Sequence, residues 1–284
     1  MSEKLWEPAR MAGLVSPGGA IEKNLDPAFR AELAAIDHIP SRVVTALTDP
    51  KPLDINMPVF NAILAAQYYE VIAAIHPPEN LRIYEPCVGA SPPVIFAAET
   101  YSGGAASYFT INLNKKLCAQ LRQKIAHLKM KTQIVEENAL GALKHLEPKS
   151  FDLACFHHAV NDILQTAVSE PRGMDTTQID WFPNERQMIE WLAEDARAGR
   201  LETRGKPELM QIVGDAVRLV KPGGHMIFDH FNWCRFIGVD WFPWDLFYNF
   251  IPMTREWIAA SSLPVREIRL DGVDPQWWMV LEVL

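Results

Sequence analysis

The stretch Leu81-Arg82-Ile83-Tyr84-Glu85-Pro86-Cys87-Val88-Gly89-Ala90-Ser91-Pro92-Pro93 decides how the rest of the chain reads. Residues 81–85 form a short apolar strand ending on an acid. A tight turn of small residues follows, then a helical run over 92–100. The same alternation continues along the chain. Strands are predicted at 106–111, 132–135, 151–156 and 225–229, with helical runs at 114–130, 140–146 and 207–220 between them. Strands alternating with helices imply a parallel sheet covered on both faces. The chain ends differently. Strands 265–270 and 277–283 are separated only by Asp271-Gly272-Val273-Asp274-Pro275, too short for a crossover helix, so the last strand is expected to run antiparallel.

The expected fold class is therefore α/β: a Rossmann-like doubly wound sheet, mostly parallel, with an antiparallel C-terminal hairpin strand. Residues 1–75 read as a helical N-terminal extension, with helical runs at 27–36 and 58–75 and a break at Asp49-Pro50-Lys51-Pro52. This extension either covers a site or only packs on the main domain. Residues 76–284 form that domain, interrupted by insertions at about 163–206 and 231–258. Both insertions follow the carboxyl ends of strands, where open α/β sheets bind ligands.

Composition narrows the classes. Of 284 residues, 49% are hydrophobic and 22% charged, enough apolar mass for a packed core and too much for a disordered chain. A formal charge of −8 argues against a general nucleic-acid binder, which must neutralise phosphates. There is no apolar run of membrane-spanning length and no secretory signal pattern at the first residues. Cys87, Cys118, Cys155 and Cys234 are widely spaced, as in a reducing compartment, so a cytoplasmic location is expected.

The turn after the first strand carries the first chemical signal. Small residues let a backbone approach a ligand closely. The Gly-x-Gly-x-x-Gly dinucleotide fingerprint is absent, and Pro92 and Pro93 remove two N–H donors that a pyrophosphate needs. That disfavours NAD and FAD. It fits a cofactor without phosphates whose cationic groups suit Glu85, such as S-adenosylmethionine.

From here the chain resembles the class I S-adenosylmethionine-dependent methyltransferases, over roughly residues 80–284. Glu85-Pro86-Cys87-Val88-Gly89-Ala90-Ser91 is similar to the family's glycine-rich loop, with Cys87 and Ser91 replacing two glycines. Ile111-Asn112-Leu113-Asn114 stands where the family has an acid that grips the ribose. Val135-Glu136-Glu137-Asn138-Ala139 resembles the adenine-reading segment, with Asn138 at the usual Asp. Leu219-Val220-Lys221-Pro222-Gly223-Gly224-His225 resembles the turn before strand five. The resemblance implies that Glu85, Cys87, Gly89, Ala90, Ser91, Asn112, Leu113, Asn138, Ala139 and His157 bind the cofactor.

His157-His158-Ala159-Val160-Asn161-Asp162 follows strand four, a position the resemblance places beside the transferred methyl group. Methyl transfer gains much of its rate from alignment, and what remains is removal of a proton. An imidazole suits that at neutral pH. His158 or His157 is the expected base, with Asp162 orienting it or binding substrate; the bland alternative is that either ring caps or packs. Asp229 and His230 end strand five and face the same cleft. With His157, His158 and Asp162 they also make a rival metal site, although the spacing matches no ligand signature; the expectation adopted is that no metal is used. Trp233, Trp241, Phe242, Trp244, Phe247 and Tyr248 read as core aromatics of which a few line an apolar substrate pocket, with Trp241, Trp244 and His230 as the expected substrate contacts. The tract 195–206 is locally basic and reads as a solvated loop.

The expected activity is methyl transfer from S-adenosylmethionine to an oxygen or nitrogen of a small, partly apolar or aromatic molecule, without nucleic-acid or membrane partners. The alternatives are a methyltransferase fold that binds a ligand or partner without catalysis, motivated by the missing glycines and acids, and a nicotinamide oxidoreductase. The sequence leaves the oligomeric state open.

Overall fold

The computed structural model describes residues 5–48, 57–230 and 239–284. Its centre is a seven-stranded sheet of β1 (Arg82–Pro86), β2 (Ser107–Ile111), β3 (Lys131–Val135), β4 (Phe151–His157), β5 (Val220–Asp229), β6 (Val265–Ile268) and β7 (Trp278–Val283). The order is β3-β2-β1-β4-β5-β7-β6. The first five strands pair in parallel, and β7 pairs antiparallel with both β5 and β6. This is the doubly wound, mostly parallel sheet with a terminal hairpin that the alternation predicts. The order reverses at β1 and β4, whose carboxyl ends therefore open a crevice.

The helices are α1 (Pro8–Val15), α2 (Pro27–Ala34), α3 (Ile39–Thr48), α4 (Met57–Ile75), α5 (Pro93–Ser102), α6 (Lys115–Ile125), α7 (Ala159–Ser169), α8 (Trp181–Arg197), α9 (Leu201–Leu219), α10 (Trp244–Tyr248) and α11 (Phe250–Ala259). Alternating strand residues feed two cores. Leu153, Cys155 and Ile227 face one side with α4 and α5. Ala154, Phe156 and Phe228 face the other, with α7, α9 and α11.

Helix α4 is apolar nearly all round, and a helix of that kind is buried all round. Phe60, Leu64, Tyr68, Val71 and Ile72 pack on the sheet. Val59, Ala62, Ile63, Ala65 and Ala66 face a third core with Met11, Val15, Ile21, Leu25, Leu33 and Val43. The boundary expected at residue 75 thus falls at the end of a helix that itself covers the sheet. Each large side chain in these layers contributes about 1.5–3 kcal/mol. Two further helices, α1 and α3, were not legible in the sequence.

One reading is corrected. The tract 195–206 is not a solvated loop: it is the end of α8, a turn at Gly199 (φ +68°) and the start of α9. Asp195 is fully buried and accepts hydrogen bonds from Arg172 (2.8 Å), Arg200 (2.7 Å) and Arg204 (3.0 Å). Burial works against its charge, but the three guanidiniums outweigh that and hold the carboxyl well below its ordinary range. The local basic charge is the counter-charge of one buried acid. Residues 140–146 also differ, forming a 3-10 helix over Ala139–Lys144. Cys87, Cys118 and Cys155 are free thiols. Among the described residues no helix is long and apolar enough to cross a membrane.

Candidate active site

A cavity of about 150 Å³ opens at the carboxyl ends of β1, β4 and β5. Gly89, Ala90 and Ser91 line it from the β1–α5 loop. His157 and His158 come from the end of β4, Asn161 and Asp162 from the first turn of α7, and His230 from the residue after β5. Trp181, Phe182 and Glu185 of α8 form one wall, with Phe242 and Phe247 beside them and Phe60 and Asn61 of α4 opposite. Both long connections predicted to follow strand ends therefore reach the site.

The polar groups fall into two neighbouring sets. On the α4 side, His157 and Asp229 are register partners on neighbouring strands. The His157 Nδ1–H donates to both Asp229 oxygens, at 2.9 and 3.1 Å. Tyr68 of α4 donates its hydroxyl to the same carboxylate. Burial alone would push the His157 imidazolium down, but the Asp229 carboxylate reverses this and raises its pKa. Burial likewise opposes the Asp229 charge, and His157 outweighs it, so that carboxyl is lowered. Both shifts favour a buried ion pair. Beneath it lies Glu85, wholly buried, accepting from the Tyr108 hydroxyl at 2.5 Å. Burial raises Glu85 to about 8, against the pull of His157 and the Tyr108 hydrogen bond.

Beside this pair, the His158 ring lies 4.8 Å from that of His157 and 4.8 Å from that of His230. His158 adopts a left-handed backbone (φ +52°) as the first residue before α7, a conformation that costs energy for a residue with a Cβ. Cys87, at the matching end of β1, does the same (φ +60°). His230 is 1% exposed, packs edge-on against Phe250 at 4.7 Å, and neither ring nitrogen has a hydrogen-bond partner. Burial, with His158 and His157 nearby, lowers its pKa well below the usual value and keeps the ring neutral. Asp162 accepts from Asn161 at 3.1 Å. Burial and the neighbouring Glu185 raise it to about 7.

The sequence-predicted residues divide. Gly89, Ala90, Ser91, His157, His158, Asp162 and His230 meet at the cavity. The anchor of the His157 imidazole is Asp229, not Asp162: register pairs 229 with 157, whereas Asp162 accepts from Asn161. Glu85 is wholly buried, and neither it nor Cys87, Leu113 or Ala139 lines the cavity. Asn112 donates to the Val88 carbonyl (2.5 Å) and accepts from Asn114 N (2.7 Å), leaving one N–H and one lone pair. Asn138 caps the following 3-10 helix through Leu140 N. Trp241 and Trp244 pack against Phe242 at 5.9 and 4.7 Å, and it is Phe242 and Phe247 that face the cavity. Trp233 and Cys234 lie outside the described residues. Sequence reasoning missed Phe60, Asn61 and Tyr68. The available signal was three polar residues, Asn61, Gln67 and Glu70, inside an otherwise apolar helix.

The donor atoms of His157, His158 and Asp229 lie within 4.8 Å of one another, a spacing compatible with a metal ion. In this structure the Asp229 carboxylate accepts hydrogen bonds from His157 and Tyr68.

No protein-family model and no curated protein matches the chain. Similar solved structures exist. A putative rRNA methylase from Clostridium thermocellum is 11% identical (TM-score 0.45; 76% of this chain, 93% of that one). A SAM-dependent methyltransferase from Aquifex aeolicus is 8% identical (0.41; 75% and 87%). TrmN from Thermus thermophilus is 12% identical (0.41; 78% and 49%).

Proposed function

We propose that the protein transfers a methyl group from S-adenosylmethionine to an oxygen or nitrogen of a small, partly apolar molecule. The observation that carries this reading is the cavity itself. It joins the β1–α5 loop, where the sequence motifs lead us to expect the methyl donor, to the His157-His158 end of β4, where they lead us to expect the acceptor.

The loop fits such a donor. A Cβ at Gly89 would meet nothing within 4 Å, so the backbone there is open to a ligand. Pro92 caps α5 and Pro93 begins it, so this helix start is poor in the donors that a pyrophosphate requires. Glu85, Ser91, Asn112 and Asn138 would hold the cofactor, which when bound supplies an electrophilic methyl group. The chain's own residues do the rest. The His157–Asp229 pair, already charged, fixes the floor of the site and donates rather than accepts a proton. The base role therefore falls to His158, aimed by its left-handed backbone. Aromatic walls exclude water and align the acceptor.

Calorimetric titration with S-adenosylmethionine, S-adenosylhomocysteine and NAD tests this. Binding of the first two but not the third is expected; NAD binding alone would overturn it. Methylation of RNA in preference to small acceptors would overturn the substrate class. A second reading, ligand binding without catalysis, is favoured by one observation: Asn112 and Asn138, which replace acids, also serve local backbone hydrogen bonds. Cofactor binding with no turnover on any acceptor would support it.

A further inference from the structure

We propose that Lys124 is a positioning residue for the loop 87–91, clamping the Ala90 carbonyl to α6 and to the N-terminal layer; its role toward a methyl donor rests on the methyltransferase reading above.

The loop is held from outside. It leaves β1 through Cys87 in a left-handed conformation, and Pro92 and Pro93 bring no N–H groups at its far end. Its start is tied to the end of β2. The Cys87 N–H donates to the Ile111 carbonyl at 2.8 Å, and the Asn112 amide donates to the Val88 carbonyl at 2.5 Å. Further along, the Lys124 ammonium, from the last turn of α6, donates to the Ala90 carbonyl. Ala90 is where such a bond matters. It lines the cavity between Gly89 and Ser91. It is also buried, packed with Leu117 of α6 and with Trp181 and Met188 of α8. A shift of its peptide therefore moves the cavity wall on which the donor is expected to lie.

Lys124 is itself built into place. It is half-buried, and its ammonium stands 4.9 Å from the centre of the Phe29 ring of α2. That is the distance of a cation held on an aromatic face. Burial lowers the Lys124 pKa, while the charges of Asp26, which caps α2, and of Glu32 within it oppose the drop. A hydrogen bond from a charged, partly desolvated donor is stronger than one between neutral groups. The contacts join segments far apart in sequence: the loop at 90, α2 at 29 and α6 at 124. The N-terminal layer is thus more than a cover on the sheet. Through Phe29 it backs the ammonium that holds the loop.

The test uses the full chain with two readouts. The first is calorimetric titration with S-adenosylhomocysteine. Lys124→Met keeps an apolar stem and removes the donor. It should weaken binding about 10-fold, the loss expected for a hydrogen bond from a charged group. Lys124→Arg keeps a charged donor that can also lie on the Phe29 ring, and should stay within about threefold of wild type. Phe29→Leu should weaken binding about 2–5-fold, through lost support of the ammonium. The second readout is amide hydrogen exchange over residues 87–91 in the unliganded chain. Lys124→Met should speed it at least about 3-fold, with β1 and β4 unchanged. Wild-type affinity or wild-type exchange in Lys124→Met overturns the inference. So does a loss that Lys124→Arg fails to restore, which would place the effect in packing. If Lys124→Met does not fold, Phe29→Leu decides by the same two readouts. Failure of wild type to bind S-adenosylhomocysteine overturns the methyltransferase reading instead, and the exchange measurement still decides the clamp.

Discussion

At the scale of single residues, the site separates two imidazoles that are adjacent in sequence. His157 is tied to Asp229, which raises its pKa; His158, one residue on, stands between His157 and His230. On the reading proposed above, the first orients and the second is the base. A positioned base contributes about 10²–10⁴-fold, so His158→Ala should lower turnover by that order with S-adenosylmethionine affinity retained. Steady-state kinetics beside calorimetry checks this; near-normal turnover would leave alignment alone, or His230, to account for the rate. Glu85 gives a pH prediction. Its folded pKa of about 8 exceeds its ordinary 4.5, so between those values the native state holds a proton that the unfolded chain releases. That contribution is fully present below pH 4.5 and is lost as pH rises through 8. Glu85→Gln lacks the slope. Its melting temperature relative to wild type should therefore rise between pH 5 and pH 8 in thermal unfolding scans, and a constant difference would show that Glu85 titrates normally.

At the scale of elements, α4 has three roles: it covers the sheet, carries the N-terminal layer and sends Tyr68 to Asp229. Leu64 is 1% exposed on its sheet face. Leu64→Ala should cost about 2–5 kcal/mol in denaturant unfolding, through lost burial plus the cavity left behind. The α8–α9 junction depends on one charge. Asp195→Ala leaves Arg172, Arg200 and Arg204 without their shared acceptor. These arginines are partly exposed and can turn to water, so the expected cost is about 2 kcal/mol rather than that of a fully buried broken pair. A variant as stable as wild type would show that these hydrogen bonds contribute nothing net.

At the scale of the whole molecule, the sheet order sets the strand ends of β1, β4 and β5 side by side, and three separate connections converge on the cavity above them. Because Asp229 accepts from both His157 and Tyr68, activity is expected to survive treatment with a chelator. Loss on chelation, restored by a divalent ion, would turn His157, His158 and Asp229 from a hydrogen-bonded set into ligands.

The sequence by itself determined the sheet. Short apolar runs alternating with helical runs and closed by turns are a local signal, so all seven strands and the final antiparallel pair were legible from residues 81–283. It also marked His157, His158, Asp162 and the Gly89–Ser91 loop, because strand ends are where this architecture places chemistry. What only the tertiary structure decided was pairing. Asp229, and not Asp162, anchors His157, since register between β4 and β5 is not written in either strand alone. Tyr68 reaches Asp229 from 161 residues away along the chain. Phe242 rather than Trp241 or Trp244 faces the cavity, and Asp195 draws three arginines inward. Each depends on which surfaces meet, and burial, unlike periodicity, is a property of contacts between distant segments.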